Sequence, residues 1–174
     1  MSRIERRATR PRAPVAAAAA GIIAAASILL TSARGQEQGA TPPKDAIFAR
    51  KILMGSIDMK MDEIETMLAP GGTLDLAEGQ EQADTISIML MAFPHMFPAG
   101  TNQWATTKDR DPATDTYASP DVWSNFNDFY QRAAAASKIA FEASHAKRAD
   151  DFKARIVELR VACNSCHGLY QKTD

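Results

Sequence analysis

The sequence predicts an all-α protein, an antiparallel four-helix bundle preceded by a cleavable N-terminal signal segment. Three observations carry this expectation. Apolar residues recur at steps of three and four in four separate stretches. Almost no strand-like alternation occurs between them. The connections are mostly short, which makes antiparallel neighbours the most economical packing. At 174 residues the chain is long enough for one ordinary domain.

Residues 1–35 stand apart from that domain. "MSRIERRATRPR" is basic, an apolar run of 18 residues follows from Ala13 to Leu30, and "TSARGQEQ" is small and polar. This order is that of a secretory signal. Ala33 and Gly35 suit the −3 and −1 positions, which places the mature start near Gln36. The rival reading is an uncleaved membrane anchor, because 18 residues reach the length of a span. Alanine makes up much of the run and is weakly hydrophobic, which favours cleavage and release into the periplasm. Residues 36–43 form a linker, and 44–174 form the bundle domain.

Removing 1–35 takes away six basic side chains and one acidic one, leaving 14 basic and 20 acidic, a formal charge of −6. Such a balance argues against nucleic acid and for partners with basic faces.

The first helix is expected from about Lys44 to Leu68. Ile47, Arg50, Met54, Ile57, Met61, Ile64 and Leu68 make its inward stripe, Pro43 sits at its start, and "APGG" ends it. The second runs from about Asp75 to Ala92, with Leu76, Ala83, Ile86, Leu90 and then Phe93 on one face. The two prolines of "FPHMFPAG" stop it. The polar stretch "TNQWATTKDRDPATDTYA" has no period, and loops of this length are uncommon unless they cover something. In the third helix Ser119 can cap, Pro120 fits the first turn and Asp121 suits the positive dipole end. Val122, Phe126, Phe129, Ala133, Ala136, Ala140 and Ala143 then form one continuous stripe. After "HAKRADD", the fourth helix carries Phe152, Ile156, Leu159, Cys163, Cys166 and Tyr170 on one face.

That last helix holds both cysteines of the chain, in "VACNSCHGLYQKTD". Cysteines in an exported protein ordinarily suggest a disulfide. Three residues apart on a helix, however, both thiols project from one face. That suits two thioether bonds to the two vinyl groups of one haem. His167, four residues after Cys163, shares the face and can ligate the iron from below. Cys-x-x-Cys-His is the attachment signature of c-type haem. Zinc and redox dithiols also use Cys-x-x-Cys. Zinc needs two more ligands, and the other histidines are only His95 and His145; a thioredoxin-like site needs strands. Only seven residues follow His167, and none is methionine or histidine. A sixth iron ligand is therefore expected upstream.

With these residues in order, the chain resembles the class II c-type cytochromes, the cytochrome c′ group, over roughly Lys44 to Lys172. The resemblance rests on "ARKILM", "FPAG", "SPDVW" and "CNSCHGLY". It implies a four-helix bundle with one covalent haem near the C-terminus. It also implies thioethers at Cys163 and Cys166, His167 as proximal iron ligand, Arg50 near the haem propionates and Met54 at the distal position. Many relatives have a basic residue right after the aromatic that here is Tyr170, where this chain has Gln171. Homodimers through the first two helices are common in the family, and Phe48, Ile52, Met59 and Met67 supply apolar side chains off the main stripe.

Geometry gives Met54 separate support. In an up-down bundle the start of the first helix lies beside the end of the fourth. Met54 is about 15 Å along its helix, and Met61 and Met67 lie about 10 Å and 20 Å further on. Those two read as core, whereas Met89 and Met91 lie at the right end of the second helix. Arg50 either snorkels to solvent or meets a propionate. Trp104, Trp123, Phe126 and Tyr130 read as core, with a pocket-lining role as the alternative; His95 and His145 read as surface groups. No general acid, base or nucleophile constellation stands out, so no enzyme is predicted. The expected function is periplasmic electron transfer with redox partner proteins. Gas binding (nitric oxide or carbon monoxide) at an open distal site is the alternative, and a haem-free redox or metal-binding module is a third.

Overall fold

The structure, a computed structural model, describes residues 42–104 and 115–172. The signal segment with Ala33, Gly35 and Gln36, and the linker up to residue 41, lie outside the described residues. Helix α1 spans Pro43–Leu68 and α2 spans Leu76–Ala92. Two 3₁₀ turns follow, Phe93–Met96 and Ala99–Thr101. A short α3 (Asp121–Ser124) leads into α4 (Phe126–Ser144), and α5 covers Ala149–Tyr170. The four long helices form an antiparallel bundle. Among the described residues there is no strand, only a single bridge between Ala118 and Gln171.

Local chemistry explains the boundaries. Pro43 is itself the first residue of α1, where its missing N–H costs no helical bond. Asp75 caps α2, its carboxylate accepting from the Ala77 and Glu78 amides at 3.0 and 3.2 Å. Ser119 Oγ accepts from the Asp121 amide at 3.1 Å and donates to Asp121 Oδ2 at 2.7 Å. The expected third helix is, however, interrupted. Asn125 leaves helical geometry (φ −122°, ψ 37°), and α4 begins after it. Asparagine tolerates such a break because its side chain competes for backbone partners. Val122 and Phe129 remain buried across the break, whereas Phe126 faces outward and leaves the stripe expected for it.

The core has two parts. The larger one joins Ile57, Met61 and Ile64 of α1 to Ile86, Ala136, Ala140, Phe152, Ile156 and Leu159. The smaller one gathers Phe93, Phe97, Val122, Phe129 and Tyr170 where α5 ends. Leu53 and Met54 pack against both. Across the α1–α5 seam, Arg160 grips Glu65 bidentately at 2.6 and 2.8 Å. The segment leading into α3 crosses the end of α5. The Ser119 amide donates to the Tyr170 carbonyl at 2.8 Å and the Lys172 amide to the Tyr117 carbonyl at 2.9 Å. Residues 117–119, at the end of the polar connection, thus pack on the site end of the bundle.

Candidate functional site

The smaller core part borders a cavity of about 270 Å3. Helix α5 contributes Cys163, Cys166 and His167 to its wall, and α1 contributes Arg50, Lys51 and Met54. Phe93, Phe97, Phe129 and Tyr170 supply aromatic surface, and Thr116–Ala118 adds the crossing segment. The three residues of the Cys-x-x-Cys-His motif therefore open into one largely apolar space. Both cysteines are unpaired, half-buried thiols.

Burial sets the charge states in this wall. It pushes the Cys166 thiol up to about 11 and raises Cys163 as well. It lowers His167, with Asp58 opposing. At neutral pH the two sulfurs are protonated and the imidazole is neutral, with a ring lone pair available to a metal.

Arg50 is the most unusual group. It is 4% exposed, so it does not snorkel to solvent. Its Nη1 donates to Thr101 Oγ1 at 2.8 Å, and its Nη2 donates to the Thr101 carbonyl at 3.2 Å and to Thr116 Oγ1. The guanidinium lies 4.6 Å from the Phe97 ring centre and 5.6 Å from that of Trp123. Among the described residues no carboxylate pairs with it, and burial brings its pKa down to about 10. A buried cation without a counter-charge is costly. Next to it, Lys51 donates to the Asp115 carbonyl at 3.1 Å and lies over the Tyr117 ring at 5.1 Å.

The residues around the cavity fit a haem. Two free thiols and an imidazole line one wall, apolar and aromatic groups surround the space, and two cations stand on α1. Gly55 and Gly168 flank Met54 and His167, and a Cβ on either would meet nothing within 4 Å. The donor set and the uncompensated Arg50 suit a planar apolar group that carries carboxylates.

Of the described methionines, Met54 alone lines the cavity. Met61 is buried in the larger core part, Met67 and Met89 pack against it, and Met91 is exposed. Trp104, Trp123, Phe126 and Tyr130 do not line the cavity. Trp123 instead donates from Nε1 to the Phe97 carbonyl at 3.1 Å, and Tyr130 meets His95 edge-on. His95 and His145 are exposed, and His145 sits at the C-terminal end of α4. Sequence reading missed Lys51, Thr101, Thr116 and Tyr117. Their partners lie 51 to 66 residues away, where periodicity carries no signal.

The sequence profile described as Cytochrome C′ matches residues 45–171. No curated protein matches the chain by sequence. Among solved structures, cytochrome c prime from Shewanella frigidimarina is similar at 22% identity and TM-score 0.66, covering 78% of this chain and 100% of its own. A cytochrome c′ with an unusual ligand-controlled dimer dissociation is similar at 20% identity and TM-score 0.65, with 78% and 100% covered. So is the nitric oxide complex of a mutant cytochrome c prime from Alcaligenes xylosoxidans, at 19% identity and TM-score 0.63, with 76% and 98% covered. The helical bundle, the motif at the end of its last helix and a profile match over most of the chain lead to one assignment: this protein belongs to the cytochrome c′ family of class II c-type cytochromes.

Proposed function

We propose that the protein is a periplasmic electron carrier with one c-type haem. Cys163 and Cys166 would anchor it through thioethers, His167 and Met54 would ligate its iron, and Arg50 would pair with its propionates. The observation that carries this reading is the shared cavity, with the Cys-x-x-Cys-His wall on α5 and Met54 on α1. Each thiol adds S–H across one vinyl group, so the attachment needs no net oxidant or reductant. Bound there, an iron porphyrin supplies a reversible one-electron couple. The chain's own contribution is to anchor it, exclude water with Phe93, Phe97 and Phe129, and offset carboxylate charge with Arg50. A neutral thioether ligand tends to raise a haem potential. If His167 and Met54 both held the iron, no ligand would have to leave during transfer, which suits a carrier rather than an enzyme.

The second reading is gas binding at an open distal position, with Met54 only packing there. It is supported by the half-buried state of Met54 and by the nitric oxide complex of the Alcaligenes relative. Two measurements decide. The mature mass should equal the processed chain plus one haem; a mass without haem sinks both readings. The wild type should be low-spin and slow to take up carbon monoxide when reduced, and Met54→Ala should be high-spin and bind it readily. A wild type that is already high-spin and binds freely selects the gas-binding reading.

A further inference from the structure

A polar network anchored at the rim of the cavity, where Arg132 and Tyr170 line its wall, grips the last turn of α5, the turn that carries His167. Helix ends leave carbonyls unpaired and fray easily. Here the cap residue, Gln171, is extended, without the left-handed glycine that often closes a helix. Two residues of α4, one turn apart, reach across instead. Tyr170 Oη donates to Asp128 Oδ2 at 2.5 Å, and Arg132 Nε donates to the same oxygen at 2.7 Å. Arg132 Nη1 also donates to Ser165 Oγ at 3.1 Å. The contacts fall two residues before His167 and three after it. The Tyr170 ring is held from the side by Phe129, with centroids 5.3 Å apart. Asp128 is shared by both donors, so its loss releases Tyr170 and leaves Arg132 held only through Ser165. Asp128 is absent from the cavity wall itself.

We propose that Asp128 is a positioning residue: through Tyr170 and Arg132 it fixes the turn bearing His167, and so sets the imidazole's orientation towards the haem iron. This rests on the haem reading above. A surface Asp128–Arg132 pair by itself would contribute little. Joined to Tyr170 and Ser165, it spans two helices at the point where His167 needs a fixed direction.

The test uses the haem-loaded full chain as wild type, Asp128→Ala and Tyr170→Phe, the last keeping the ring and removing only the hydroxyl. The readouts are the reduction potential and the hyperfine-shifted haem methyl resonances of the oxidised protein, whose spread follows imidazole orientation. Gly79→Ala, which crowds Phe152 at the opposite end of α5, is the control for general loosening. Both clamp variants should shift the potential and rearrange the methyl resonances, and the control should leave both as in the wild type. If Asp128→Ala does not fold, Tyr170→Phe decides. Haem-loaded clamp variants with wild-type potential and resonances overturn the proposal, as does a control that moves them equally. A wild type without haem overturns the haem reading instead.

Discussion

At the scale of single residues, the clearest electrostatic consequence concerns Tyr170. Burial pushes its phenol up to about 12, and the hydrogen bond to Asp128 acts in the same direction. The same bond, followed by Arg132, lowers the Asp128 carboxyl. An unfolded tyrosine ionises at about 10. Above that pH the unfolded chain loses its proton first. The stabilisation is therefore complete below about pH 10 and is lost as the pH rises towards about 12. Of the chain's three tyrosines, one should ionise late in an absorbance titration, and Tyr170→Phe should remove that late step. Simultaneous ionisation of all three in the folded protein contradicts the buried contact. Residues were unevenly legible in the sequence. Cys163, Cys166 and His167 share a cavity because helical spacing fixes it within one turn. Met54 and Arg50 could be picked out from the same stripe. The Thr101 and Thr116 partners of Arg50 could not, because one closes a short 3₁₀ turn and the other lies in an irregular segment, and the path of each depends on tertiary contacts.

Elements were legible where a local cap or breaker marks them. Pro43, Asp75 and the Ser119-Pro120-Asp121 start sit within a residue or two of the expected boundaries. The interruption at Asn125 was not, since Val122, Phe126 and Phe129 keep helical spacing across it and periodicity is blind to one non-helical residue. Between elements, Gly79 of α2 packs directly against Phe152 of α5. A Cβ there would lie 2.8 Å from Cζ of Phe152, whose ring is fully buried. Gly79→Ala would gain at most about 1 kcal/mol of helix propensity. Overpacking costs about 1–3 kcal/mol. The variant should thus lose about 1 kcal/mol, read from the denaturant midpoint at unchanged slope. An increase in stability would mean that the Phe152 ring has room to move.

At the scale of the whole molecule, the unexplained surface lies on α1 and α2. Phe48, Ile52 and Met59 are 59%, 54% and 53% exposed, and Gly55 lies between the last two at helical spacing. Ile88 and Met91 of α2 are exposed as well. Met67, expected to join this band, is half-buried against the core and does not belong to it. Large exposed apolar side chains in a row usually mark an interface. The stripe steps by four, three and four along α1, as an edge between two packed helices does. Gly55 at its middle would let a second helix approach closely. We therefore expect a homodimer through α1 and α2. Ile52→Glu would place a charge in the centre of that band without touching the cavity wall. Light scattering should give twice the chain mass for the wild type and the single mass for the variant, with the haem spectrum retained. A wild type that keeps the monomer mass at every concentration would remove the dimer and leave the band to another partner.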